Sequence, residues 1–142
     1  MSQRDAGYAI FAVTADQGIH AWAADLSGVF RQAALALWSL MLEQADVRRL
    51  REIPVSIEAP DIESLLVAWL NELLYISEVE RLAAADCAIE SLTLTSVTAR
   101  VWGEKMDPRR HVMLGHVKAA TYHQLQLLKS PRGWEARVIV DV

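Results

Sequence analysis

The chain has only one cysteine, Cys87. One thiol cannot close a disulfide within a monomer, nor can it supply a cysteine-rich zinc site. Its apolar surroundings make Cys87 a small core residue, in keeping with a reducing cytoplasm. Long apolar runs are missing too. The longest, LLVAWLNELLYI at residues 65–76, carries Asn71 and Glu72. It is too short and too polar to span a bilayer. The N-terminal MSQRDAGYAIFAV has no signal-type apolar core. A soluble, cytoplasmic protein is expected. Positive charge is scarce as well: 14 Lys and Arg against 18 Asp and Glu leave a net charge of −4. This argues against a strong direct grip on nucleic acid. RLREIP and DPRRH offer only small basic clusters. GxSxG, P-loop and GxGxxG signatures are absent, and His20, His111 and His116 lack HExxH spacing. No nucleophile is accompanied by a base and an orienting group.

The 142 residues are 53% hydrophobic and 23% charged. That suits one domain, 1–142, with a sizeable core. Five tryptophans serve either that core or a partner surface. Residues 7–14, GYAIFAVT, read as a strand, and 18–24, GIHAWAA, as its hairpin partner. The turn between them places Asp16 at a tip or shoulder. LSGVFRQAALALWSLML has the spacing of a helix with one apolar face, capped by Asp25 or Ser27. QADVRRLRE follows as a helix end and loop.

Residues 53–59 alternate as a strand, and Pro54 places that strand at a sheet edge or marks its start. Asp61 caps a second helix with the stripe Ile62, Leu65, Leu66, Trp69, Leu70, Leu73, Leu74. From residue 86 the pattern turns to strands: CAIESLTLT, VTARVWGE, then TYHQLQLLK and WEARVIVDV as a closing hairpin across residues 130–133. The order ββαβα followed by four strands predicts an α+β fold. Its simplest form is a single mixed or antiparallel sheet with two helices packed on one face.

Four positions stand out for chemistry. Asp16, in a turn beside a threonine, can offer oxygen to a hard cation. Asp141 ends an apolar strand next to the terminal carboxylate of Val142, and adjacent anions repel unless a cation is near. Lys118 lies between Val117 and Ala119 and is placed to neutralise such carboxylates. Each also has a plainer reading: a turn aspartate bonded to its own backbone, a solvated terminus, a surface lysine. Glu104, after Gly103 at a strand end, reads as a loop-entry acid that could join a carboxylate cluster. If 121–129 is a strand, Tyr122 and His123 point to opposite faces and cannot form a dyad.

Taken together, VTADQGIHAWA, LLVAWLNELLY, the WGE at 102–104, VKAATYHQL and WEARVIVDV resemble the archease family, in family order and over nearly the whole chain. The resemblance implies a small accessory protein, not an enzyme. Such proteins promote guanylylation and multiple turnover of an RtcB-type tRNA-splicing RNA ligase. A chaperone-like or specificity-modulating role toward a tRNA methyltransferase is also implied. It further implies a divalent-cation site, described for calcium, at Asp16, Asp141 and Val142, and a functional lysine at Lys118. The family motif usually has histidine where this chain has Val13, so no role of that imidazole carries over.

Overall fold

The structure, a computed structural model, describes residues 6–142. Strands β1 (Gly7–Val13) and β2 (Asp16–Ala23) form a hairpin closed by Thr14 and Ala15. The tight turn puts Ala15 at φ 66°. Helix α1 (Leu26–Met41) starts where the Asp25 carboxylate accepts the Gly28 amide at 2.8 Å. β3 (Arg51–Glu58) leads to α2 (Ile62–Val79), capped by Asp61 on the Ser64 amide at 2.7 Å. Both caps satisfy amides that the first helical turn leaves free. The chain ends in strands: β4 (Leu82–Leu92), β5 (Ser96–Lys105), the two-residue β6 (Ala119–Ala120), β7 (Gln126–Ser130) and β8 (Gly133–Asp141).

The α+β class and its two helices are as the sequence implies, but the strands divide between two antiparallel sheets. One runs β1-β2-β8-β6, with β7 also paired to β8; the other runs β3-β5-β4. β8 and β5 are the two separate centres. Strands from both chain ends collect around β8, and those from the middle around β5. β3 is an edge strand, which accommodates the missing amide of Pro54. β4 begins at Leu82, four residues before the alternating pattern becomes visible. Its LAAA start is largely buried, with no polar residue to mark a period. Register shifts at Ala84/Asp86 and Ile89/Ser91 break the pattern further.

Helix α1 packs on β2 and β4, and so joins the two sheets; α2 packs on β6, β3, β4 and α1. Their apolar stripes meet in one buried cluster that includes Phe30, Leu37, Leu66, Trp69 and Val138. The Trp69 indole donates to the Phe30 carbonyl at 3.0 Å, tying the helices together. Cys87 is buried in the same cluster. Burial, assisted by the charge of Asp86 and partly offset by Arg31, pushes its thiol up to about 12. The native protein should therefore leave Cys87 unmodified by a thiol reagent at neutral pH, and release one reactive thiol on denaturation. Rapid native labelling would contradict this burial. None of the described helices is long and apolar enough to cross a membrane.

Candidate functional site

One end of the five-stranded sheet gathers the acidic candidates. Asp16 opens β2 and Asp141 closes β8. Their register runs as far as Gln17 opposite Val140, so Asp16 and Asp141 occupy the next position on each strand. Opposed residues of an antiparallel pair face the same side. Alternation groups these two with Gly18, His20, Ile139 and Arg137 on the outer side, while Ile19, Ala21, Val138 and Val140 turn to the core. Neither carboxylate makes a hydrogen bond or ion pair with a described residue. Val13 stands opposite Asp16 across the hairpin, so this neighbour of the carboxylate is apolar.

Lys118 arrives at the same sheet end by a different route. β6 lies along β8 with Ala119 opposite Asp141, and the Lys118 amide donates to the Asp141 carbonyl at 2.8 Å. Lys118 directly precedes β6 and Val142 directly follows β8, so both lie at this end of the sheet. Lys118 is exposed, and with Asn71 and Leu74 of α2 it borders a cavity at this end of the sheet. Lys118 makes no ion pair with a described residue. The fold thus brings Asp16, Asp141, Val142 and Lys118 to one end of the sheet.

Asp16 and Asp141 offer uncommitted carboxylate oxygens, the donor type that calcium or magnesium takes and zinc does not require. Val142 follows directly and is exposed. Among the described residues, no group of three or more His, Cys, Asp or Glu side chains is placed to hold a metal. The donor set fits a hard cation that keeps several positions open.

Lys118 owes its position to two anchors at the ends of the segment 111–120. The first is Glu104, a carboxylate only 4% exposed. It accepts from the Arg48 amide at 2.8 Å, the Arg48 Nε at 3.2 Å and Arg110 at 2.7 Å, and pairs with His111 Nε2 at 3.0 Å. His111 Nδ1 accepts the Asp107 amide at 2.9 Å, so Nε2 carries the hydrogen directed at Glu104. Next to Glu104, Gly103 lets β5 pass the Ala83 carbonyl so closely that a Cβ would overlap it. The second anchor is Asn71. Its Oδ1 accepts the Ala120 amide at 2.8 Å, and its Nδ2 donates to the Ala120 carbonyl at 3.2 Å. Between them the strap bonds to the end of α1: Glu43 amide to Val112 carbonyl and Leu114 amide to Met41 carbonyl, each 3.0 Å.

Burial pushes the Glu104 carboxyl up, but hydrogen bonds from the Arg48 amide, His111, Arg110 and the Arg48 side chain outweigh it, bringing the group down to about 2 from an ordinary 4.5. A depressed folded-state value stabilises the fold above the unfolded value, and that contribution is lost as pH falls through the folded one. Between pH 4.5 and 2, stability by urea denaturation should therefore fall. It should fall less steeply in Glu104→Gln, which has no proton to take up there. Equal acid slopes for both proteins would contradict this role.

TYHQ is a turn and not the start of a strand. Thr121 uses its amide and hydroxyl on the Ile139 carbonyl, at 3.0 and 2.9 Å, and its hydroxyl oxygen accepts the His123 amide at 3.3 Å. Gln124 sits at φ 51°, and β7 begins at Gln126. The threonine side chain replaces ladder bonds with a local turn. Strand alternation therefore does not govern Tyr122 and His123, which are both exposed. Asn71, Arg48, Arg110 and His111 are residues that sequence reasoning does not single out. Asn71 left one local signal: a polar amide inside the strongest apolar stripe.

The profile of the archease protein family matches residues 8–142. Protein archease of Methanosarcina mazei is 38% identical over 133 residues, which is 91% of each chain. That of Methanosarcina barkeri is 33% identical over 146 aligned residues, 100% of each. The solution structure of Methanobacterium thermoautotrophicum protein 1598 superposes with a TM-score of 0.82 at 34% identity, covering 96% of this chain and 99% of that one. With sequence kinship and backbone likeness both extending over almost its full length, the chain belongs to the archease family.

Proposed function

We propose that this archease-family member is an accessory protein that activates an RtcB-type tRNA-splicing RNA ligase, promoting the ligase's guanylylation and so its multiple turnover. The observation that carries the reading is the pair of uncommitted carboxylates, Asp16 and Asp141, held side by side at a sheet end. Asp16, Asp141 and Val142 would hold a divalent cation, calcium by family analogy. When bound, such a cation neutralises phosphate charge during nucleotidyl transfer. The chain's own part is to fix those oxygens on two paired strands and to present Lys118, which has no ion-pair partner among the described residues, as a cationic contact for the partner. The nucleophile for GMP transfer is the ligase's.

The test is a ligation assay with purified RtcB-type ligase, GTP, a divalent cation and excess RNA ends. Adding this protein should raise the yield well above one ligated product per ligase. A yield that is the same with and without it would overturn the reading.

A further inference from the structure

An edge strand offers a row of unpaired amides and carbonyls, and most edges of this fold are guarded against further pairing. β3 carries Pro54 and the charges of Arg51, Glu52 and Glu58. β4 is interrupted by its register shifts and carries Asp86 and Glu90. On the far side of β8, β6 is two residues long and β7 carries Lys129. β1 has none of these devices. Its seven residues, GYAIFAV, include no charge and no proline, and its register with β2 runs from Gly7 to Val13 without a bulge. It ends the sheet, and among the described residues no strand pairs on its outer side. Tyr8 and Ile10 are each 37% exposed, and Ala9 and Ala12 are exposed as well. A long, flat, apolar edge of this kind is a template for another strand.

We propose that the edge of β1 pairs with the same edge of a second copy of the chain, antiparallel about a two-fold axis through Ile10. The strand is complementary to itself in hydrogen bonding, in size and in charge. In a hairpin with a two-residue turn the closing pair, here Val13 and Asp16, exchanges both of its backbone bonds. By alternation Phe11, Ala9 and Gly7 also bond toward β2, which leaves the amides and carbonyls of Tyr8, Ile10 and Ala12 pointing off the sheet. Ile10 is the middle residue of the strand. An axis there lets Ile10 exchange both bonds with its own counterpart, and Tyr8 with Ala12 on either side. Each strand is then paired over its full length. Large residues meet small ones across the axis: Tyr8 faces Ala12, Phe11 faces Ala9, and Val13 faces Gly7. The Phe11 ring does not block the approach, because it already lies over Gly18 of β2, with the Arg137 guanidinium 4.4 Å from its centroid. The two isoleucines on the axis form a branched apolar pair, and no charge is repeated across it. A foreign strand needs none of this symmetry, so the self-complementarity selects a second copy. Asp16 and Asp141 stand on β2 and β8, inside the sheet, and take no part in the pairing. The proposal does not depend on the activator reading.

Sedimentation equilibrium of the purified protein tests the pairing. One pair of strands is a small interface, so a reversible dimer with a dissociation constant on the order of 10 µM is expected. Ile10→Lys sets two ammonium groups against each other on the axis and should weaken dimerisation at least about 30-fold. Ala12→Pro removes an amide that points off the sheet, leaves the hairpin bonds in place, and should weaken it about 10-fold. The register is read by Ile10→Cys. Facing residues that exchange both bonds lie about 5.5 Å apart, within disulfide range, so mild oxidation should cross-link this variant into dimers. Leu94→Cys, in the exposed β4–β5 turn, should cross-link far more slowly, and the buried Cys87 should take no part. The mass of a single chain at every concentration up to about 300 µM would overturn the proposal. So would a dimer whose constant neither Ile10→Lys nor Ala12→Pro changes. If the wild type is a monomer and Ile10→Lys lowers its affinity for the ligase instead, the edge belongs to a ligase strand, and the proposal falls while the activator reading stands. A wild-type dimer that neither binds nor stimulates the ligase would overturn the activator reading and support the pairing.

Discussion

Trp69→Ala should cost about 3–5 kcal/mol of folding stability, the range for emptying a large aromatic site. Trp69 is 0% exposed. Its ring lies 6.4 Å from that of Phe30, centroid to centroid, and its indole N–H bonds the Phe30 carbonyl at 3.0 Å. The substitution removes both the packing between the helices and the donor to a buried carbonyl. For a chain of this size the midpoint of thermal unfolding should drop by about 10 °C or more. Trp69→Phe keeps much of the volume and loses the bond, so it should fall between the two. The check is urea denaturation followed by circular dichroism, which does not depend on the deleted fluorophore. A loss below about 1 kcal/mol in the alanine variant, the level of an average substitution, would contradict the placement of Trp69 at the helix junction.

The double substitution Asp16→Asn with Asp141→Asn should do the opposite: little to the fold and much to the function. Neither side chain bonds to a described residue, and both are at least partly exposed. Surface changes of this kind leave stability within about 0.5 kcal/mol. If the proposed cation site is the working one, removing these two adjacent anionic oxygens should lower stimulation of the ligase about 10- to 100-fold, the scale on which weakening a metal site acts. Residual stimulation should need more divalent cation than wild type does. Undiminished stimulation at low cation concentration would exclude these carboxylates as the working site.

What the sequence makes legible follows how local each signal is. Asp25 and Asp61 are caps, and the two helical stripes are periodic, so both helices and their starts can be read off the chain. Pro54 foretells an edge strand for the same reason. The division into two sheets depends on which distant strands pair, and no local pattern carries that. Asp16 and Asp141 become neighbours only through β2 pairing with β8. The residues alone left each as an ordinary turn or terminal acid, and it was the family-like motifs that linked them. Lys118 was legible as a candidate, but its place beside Asp141 comes only from the pairing of the two-residue β6 with β8, which no local pattern carries. Glu104 reads as a loop-entry acid because its partners, Arg48, Arg110 and His111, come from separate stretches that meet only in the fold. RLREIP and DPRRH, small basic clusters in the chain, each spend one arginine on a buried acid, Arg49 on Asp86 and Arg110 on Glu104. The family motifs WGE and WLNELLY thereby gain a physical meaning: they hold the two ends of the strap that delivers Lys118.

On the proposed function, this protein helps a ligase take up its nucleotide. A single-turnover measurement tests it most directly: mix purified RtcB-type ligase with labelled GTP and a divalent cation, and follow GMP transfer to the ligase with and without this protein. The protein should speed transfer by at least about 10-fold, a modest share of what charge neutralisation at a phosphoryl centre supplies. A guanylylation rate that is identical in its presence and absence would contradict it.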